Sequence, residues 1–326
     1  MLKISTLLIL SVGVLLAGDK VLKLSHQWPG GDKDVRSKMV IILADEIEKA
    51  NVGLKIKIYP SKSLYKPKEQ WSAIVKGRLD LTALPLDYAG GRHPEFSATL
   101  MPGLIKNHEH AARINDSEFM NDIKKVINDA GAKVLTDSWL AGGFVSKKNC
   151  ILDPEDVKGQ VIRAAGSNFE EMLHGAGASI SSMASSEIYT ALQTGVLDAA
   201  NTSSGSFVSY RIYEQVKCLT APGDNALWFM YEPILISMKT WNKLNPAQQE
   251  ALTKAGEKAE RYFEKEAKNL DNKLVASFKE AGVEVAYMTK EQADKWKKIA
   301  AETSYKNFAK KVPTGAELIR KARLVE

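Results

Sequence analysis

The sequence is poor in the residues that catalysis and metal binding most often use. Only two cysteines, Cys150 and Cys218, and five histidines occur among its 326 residues. There is no C-x-x-C redox pair and no G-x-S-x-G nucleophile elbow. The histidines, His26, His93, His108, His110 and His174, are scattered. His108 and His110 are close, but NHEHAARI reads as a helix start, where side chains two apart diverge. No enzyme, metal site or cofactor is therefore expected. Low-complexity tracts are absent, which removes the usual support for an adhesive or structural role. The net charge of +6 is spread through interleaved acidic and basic residues, as in EKAERYFEKEAKNLDNK. That pattern fits solvated helix faces, not a polyanion stripe, so nucleic acid is not an expected partner.

Long apolar runs are also missing, with one exception at the N-terminus. Met1 and Lys3 precede the run Leu7 to Leu16, LLILSVGVLL, which gives way to Ala17 and Gly18. A positive start, a short apolar core and a small-residue exit predict a cleaved signal peptide over 1–18. The run is shorter than the roughly 20 residues of a membrane span. No cysteine follows it, so no lipid anchor is expected, and the remainder is expected to be soluble. Export to the periplasm would place Cys150 and Cys218 in an oxidising compartment, where a pair that meets becomes a disulfide. Whether they meet is left open by the sequence, as two free buried thiols are the alternative.

What is present is an alternation of strand and helix signals. VLKLSHQW reads as a strand, VRSKMVIILADEIEKA as an amphipathic helix, and LKIKIYP as a half-buried strand. PKEQWSAIVKG begins with Pro67 and ends with Gly77, as a helix does, and RLDLTALP reads as the next strand. This order predicts an α/β fold. Gln70 to Leu84, QWSAIVKGRLDLTAL, has the same layout as Ile188 to Thr202, IYTALQTGVLDAANT. Each has an amphipathic helix, a glycine, Leu-Asp and a strand. Upstream of them, LKLSHQWPGG and QVIRAAGSNFEEM each give a strand, a glycine turn and a helix start. Two such units predict two similar lobes with a ligand between them, outside the carboxyl ends of the strands. The segment from Pro246 to Ala281 predicts one helix about 50 Å long, capped by Asn245 and Gln248 and stopped by Gly282. Its heptad seam fails at Glu266, Asn269 and Lys273, so a strut along both lobes is expected, not a coiled coil.

The residues Asp156, Lys158, Gly159, Ile162 and Arg163, then Gly177, Ala178, Met183, Ser186, Glu187, Tyr189, Ala191, Leu192, Gln193, Thr194, Gly195 and Asp198 resemble the solute-binding proteins of TRAP transporters, the DctP-like family. KIKIYP with LYKPKEQW, GRLDLTALP, WNKLNPAQQEAL and EAGVEVAYMT follow in family order, so the resemblance covers essentially the whole mature chain. It implies two α/β lobes joined by hinge-crossing strands, with a long helix spanning both. The expected division is 19–140 plus 227–265 for lobe I and 141–226 plus 266–326 for lobe II. It also implies a periplasmic, monomeric receptor that closes on a small organic acid and delivers it to TRAP-type permease subunits. A sensor partnering a membrane signalling receptor is the alternative use of the same fold.

Arg163 aligns with the family arginine that pairs with the ligand carboxylate, a role suited to a planar, permanently charged fork. Gly166 follows it in the same turn. His26, Gln27 and Trp28 occupy a loop that faces ligand in this family, and Glu69 lies at a helix start near the expected cleft. Where the family often has Gln-Glu-Asn-Pro, this chain has Ala200, Asn201, Thr202 and Ser203, so Asn201, Thr202 and Ser203 become candidate hydrogen-bonding residues. Phe144 stands where some members place a second arginine, which argues against a polyanionic sugar acid. Trp139, Asn225 and Trp228 lie at the expected crossings. With these aromatics, the expected ligand has one dominant carboxylate and a partly apolar body.

Overall fold

The computed structural model describes residues 19–326, and the expected signal peptide lies outside the described residues. In chain order the strands are β1 (Lys20–Ser25), β2 (Leu54–Tyr59), β3 (Leu81–Ala83), β4 (Ala132–Thr136), β5 (Trp139–Ser146), β6 (Val161–Arg163), β7 (Ser179–Ser181), β8 (Ala199–Ser203), β9 (Cys218–Thr220), β10 (Trp228–Tyr231), β11 (Ile234–Ser237) and β12 (Glu284–Ala286). They form two sheets. One has the order β2-β1-β3-β11-β4 and the other β12-β9-β5-β8-β6-β7, with β10 also paired to β5. Each sheet has a parallel set, β2-β1-β3 in one and β7-β6-β8 in the other. No helix among the described residues is long and apolar enough to cross a membrane.

The chain passes between the sheets twice in short segments. Asp137 and Ser138 join β4 to β5, while Glu232 and Pro233 join β10 to β11. The two crossings are bonded to each other. Glu232 N donates to Ser138 O at 2.7 Å, and Ile234 N donates to Thr136 Oγ1 at 2.8 Å. The division of lobes expected from the sequence is displaced, because β10 pairs wholly within the second sheet. The end of the chain is also reassigned. Helix Gly315–Arg323 turns Leu318, Ile319 and Ala322 onto Phe119, Met120 and Ile123 of helix Glu118–Asp129, beside β4 of the first lobe. Its amphipathic face finds its apolar partner there, not on the second lobe.

The internal repeat is a repeat of geometry. Helix Pro67–Val75 leads through Gly77 (φ 71°) to β3, and helix Ile188–Gln193 leads through Gly195 (φ 79°) to β8. Leu79 N donates to Ala73 O at 3.2 Å, and Leu197 N to Ala191 O at 3.1 Å. The aspartate that follows ties down the adjacent strand in both halves. Asp80 Oδ2 accepts from Lys23 N, and Asp198 Oδ2 accepts from Val161 N, each at 2.9 Å. This match aligns β1 with β6, so the loop from His26 and the turn after Arg163 hold equivalent positions at the carboxyl ends of the two sheets.

The helix Pro246–Glu280 runs along both lobes. Asn245 and Gln248 form its capping box. Leu252, Ala255, Ala259 and Phe263 pack in the first-lobe core, while Leu274 and Phe278 pack in a second-lobe core. Gly256 is required by close approach, since a Cβ there would overlap the Leu135 carbonyl oxygen. Cys150 and Cys218 form a disulfide that ties the segment after β5 to β9. The cysteines together with Glu284 are therefore not a thiolate metal site. Gly256→Val should force the helix away from β4 and destabilise the protein by roughly 1–3 kcal/mol. Urea denaturation checks this, and an unchanged midpoint would contradict the tight seating of the helix.

Candidate functional site

Arg163 ends β6 at the junction of the lobes, and only 2% of it is exposed. Its Nε donates to Met183 O at 3.1 Å and its Nη1 to Asn201 O at 2.7 Å. Asn201 in turn accepts from Ala165 N through Oδ1 at 2.8 Å, which fixes the Arg163 turn to β8. Burial pulls the pKa of the guanidinium below its usual value, against the support of Tyr88, Asp87 and Glu170. Its orienting hydrogen bonds thus come from neutral carbonyls, and the acidic groups act on it at longer range.

The first lobe meets this turn with Asp87, Tyr88 and the His26 loop. The Tyr88 hydroxyl accepts from Ser185 N across the junction at 3.0 Å, and Gln27 Nε2 reaches it at 3.5 Å. Tyr210, from the second lobe, donates to Gln27 O at 3.1 Å. Gly166 has φ 79° and no Cβ, and any Cβ would strike the Asp87 carboxylate. A cleft of about 310 Å³ opens beside Arg163, bounded by Lys68, Asp87, Tyr88, Gly166, Glu170 and Met183 among others. Inside it lies a void of about 10 Å³ bounded by Arg163, Tyr88, Thr202, Trp228, Met230 and Glu232 among others.

A second buried guanidinium, Arg36, also bridges the lobes. Asp34 binds it through Nε at 3.0 Å and Nη2 at 2.8 Å. From the second lobe, Ser203 and Ser206 accept from its Nη1 at 3.1 Å. Its guanidinium lies 4.6 Å above the Trp28 ring centroid. Glu232 sits 3.6 Å from Nη1. Burial works against the Arg36 charge, but Asp34 and Glu232 hold its pKa above the usual value.

Several polar atoms around this junction are buried without a protein hydrogen-bond partner. They include both ring nitrogens of His26, Gln27 Oε1, Trp28 Nε1, Asn201 Nδ2, Trp228 Nε1 and both carboxyl oxygens of Glu232. Buried polar atoms are usually paired, so a cluster of exceptions marks a place built to meet something else. Burial shifts the local titrations. It raises Asp87 to about 6 and Glu232 to about 7, and lowers His26 to about 4, so the His26 ring is neutral near pH 7.

Of the residues singled out from sequence, Arg163, Gly166, Thr202 and Trp228 line these spaces, Gln27 and Asn201 bond to the lining residues Tyr88 and Arg163, and His26 and Trp28 stack beside Arg36. Ser203 instead serves Arg36. Three residues lie elsewhere. Trp139 donates to Asn115 Oδ1 at 2.7 Å and lines a groove against the long helix. Phe144 stacks on Trp296 at 5.8 Å in the second-lobe core. Asn225 donates to Met288 O at 3.1 Å beside a separate cavity. Glu69 is exposed, caps its own helix through Lys66 N at 3.2 Å, and lines a space of about 420 Å³ that shares Lys68, Ser182 and Met183 with the cleft. Proximity to a crossing was too coarse a guide, because adjacent strand residues face opposite sides of a sheet. The sequence reading missed Arg36, Asp87, Tyr88 and Glu232. Glu232 had a signal, being the only charge in the apolar run LWFMYEPILIS.

The sequence matches the bacterial extracellular solute-binding proteins, family 7, over residues 24–311. The chain belongs to that family. A solute-binding protein of Albidiferax ferrireducens is 37% identical over 94% of this chain and 92% of its own length. The crystal structure of a TRAP periplasmic solute-binding protein from Rhodoferax ferrireducens with bound malonate matches with a TM-score of 0.90 at 37% identity, over 93% of this chain and 98% of that one. The sialic acid-binding periplasmic protein of Vibrio cholerae is 27% identical over 86% of this chain and 87% of its own length. The family fold is a two-lobed α/β architecture and its role is solute capture for transport, not catalysis.

In this family 7 protein the raised pKa of Glu232 has a stability consequence. The folded chain keeps a proton that the unfolded chain releases between about pH 4.5 and 7. Glu232 therefore lowers stability as pH rises through that window. Glu232→Gln should gain stability relative to wild type between about pH 5 and pH 8 in denaturant titrations. A pH-independent difference would contradict the shift.

Proposed function

We propose that this chain captures a small organic acid between its lobes, with Arg163 as the carboxylate anchor, and presents it to a TRAP-type permease. The observation that carries this reading is the buried Arg163 guanidinium, oriented by two backbone carbonyls and paired directly with no carboxylate. A ligand carboxylate supplies the missing charge, and the fork geometry suits two parallel hydrogen bonds. The malonate bound in the Rhodoferax ferrireducens protein supports an acid as the ligand class. Trp228, Met230 and Leu100 give the space beside Arg163 an apolar wall, in keeping with an acid that carries a carbon skeleton.

The protein acts as a periplasmic monomer after loss of residues 1–18, and binding favours a closed arrangement of the lobes. Closure follows because Arg163 belongs to one lobe and Asp87, Tyr88 and Gln27 to the other. A ligand touching both gains contacts only when the two come together. Transport is the better reading than sensing, since the relatives described above are solute-binding proteins.

Arg163→Ala should abolish acid binding while the chain stays folded. Losing one partner of a buried charged pair costs about 3–5 kcal/mol. Calorimetry with the acid that best raises the melting temperature is the measurement, with circular dichroism as the folding control. Binding within a few-fold of wild type would sink the assignment. Arg163→Lys should also bind poorly, because a point charge cannot reproduce the fork.

A further inference from the structure

The inner void is polar at both ends but with opposite character. Arg163 and the unpartnered Trp228 Nε1 offer donors, while Glu232 offers acceptor oxygens that no protein donor reaches. Glu232 is fully buried, in the crossing between β10 and β11, with its backbone fixed by the bond from its N–H to Ser138 O. One oxygen lies 3.6 Å from Arg36 Nη1, too far for a hydrogen bond.

Charge on Arg36 accounts for Glu232 only in part. The Arg36 fork is already bound at two nitrogens by Asp34, and Ser203, Ser206 and Ser209 accept its other hydrogens. Glu232 thus gives Arg36 charge but no hydrogen bond, and it borders the same void as Arg163.

We propose that the ligand carries a hydrogen-bond donor, a hydroxyl or an ammonium, in addition to its carboxylate, and that Glu232 is the residue that selects for it. This inference rests on the proposed capture of organic acids at Arg163. The size of the inner void supports it. About 10 Å³ admits one water-sized group, which a hydroxyl or ammonium matches and a second carboxylate does not. The carboxylate then lies at Arg163, where the void meets the larger cleft. Charge supports it too. A donor-free chain end would leave the Glu232 carboxyl unpaired, and above about pH 7, where Glu232 is ionised, a second anion there would face both Glu232 and Asp87. The hydroxy and amino acids are the chemical class that satisfies both ends.

The test is calorimetry on the purified protein with matched acids: propionate, lactate and alanine; succinate, malate and aspartate; glutarate, 2-hydroxyglutarate and glutamate. In at least one series the hydroxy or amino member should bind at least about tenfold tighter than its unsubstituted parent. Glu232→Gln should shrink that ratio, mainly by weakening the donor-bearing member. Arg163→Ala should abolish binding of both. Equal or tighter binding of the donor-free parents by wild type would overturn the proposal while leaving acid capture intact. So would a preference unchanged in Glu232→Gln. Wild type binding none of these acids, nor any other carboxylate in a broader screen, would overturn acid capture and this inference together. The wild-type comparison needs no variant, so it decides even if Glu232→Gln folds poorly.

Discussion

A guanidinium taken out of water must be met by hydrogen bonds and by charge. The two lobes meet that demand differently at Arg36 and at Arg163. Arg36 has Asp34 in a two-point pair, Glu232 nearby and second-lobe serines around it, so its charge is balanced within the protein. Arg163 has the carbonyls of Met183 and Asn201, which fix its direction but cannot neutralise it. One arginine is therefore neutralised within the protein, and the other has no direct carboxylate partner among the described residues. The difference lies in the partners, since both residues are buried and both lie where the lobes meet.

The rest of the architecture serves to bring that charge to the junction of the lobes. The repeat sets the carboxyl ends of β1 and β6 in equivalent positions, with Asp80 and Asp198 as matching anchors. The crossings at Asp137–Ser138 and Glu232–Pro233 are short and mutually bonded, so these two links between the lobes lie side by side. The helix Pro246–Glu280 lies against both lobes, and Gly256 lets it approach the Leu135 carbonyl.

Much of this was legible in the sequence because local rules and long-range packing agree. The alternation of elements, the repeated helix-Gly-x-Leu-Asp-strand unit and the capped long helix each follow from periodicity and capping chemistry. Arg163 was legible from its matched motif and its place at a strand end. The site's other half was less so. Trp139 and Asn225 were placed by closeness to a crossing and Phe144 by its match to a family arginine, yet they meet Asn115, Met288 and Trp296 respectively. Arg36 and Asp34 look like an ordinary helix start, and nothing local says that second-lobe serines will cover them. Glu232 could have been read, as the lone charge inside an apolar strand run. The fate of helix Gly315–Arg323 depends on which lobe offers an apolar surface, which local pattern does not encode.

The most direct test of the distinction between the two arginines is a crystal structure with the tightest-binding acid from a ligand screen. The ligand carboxylate should lie within hydrogen-bonding distance of the Arg163 guanidinium, with Asn201 O and Met183 O still holding that side chain and with Arg36 still paired to Asp34. A ligand carboxylate seated on Arg36, or a ligand lodged in the groove beside Trp139 with Arg163 unoccupied, would contradict the account.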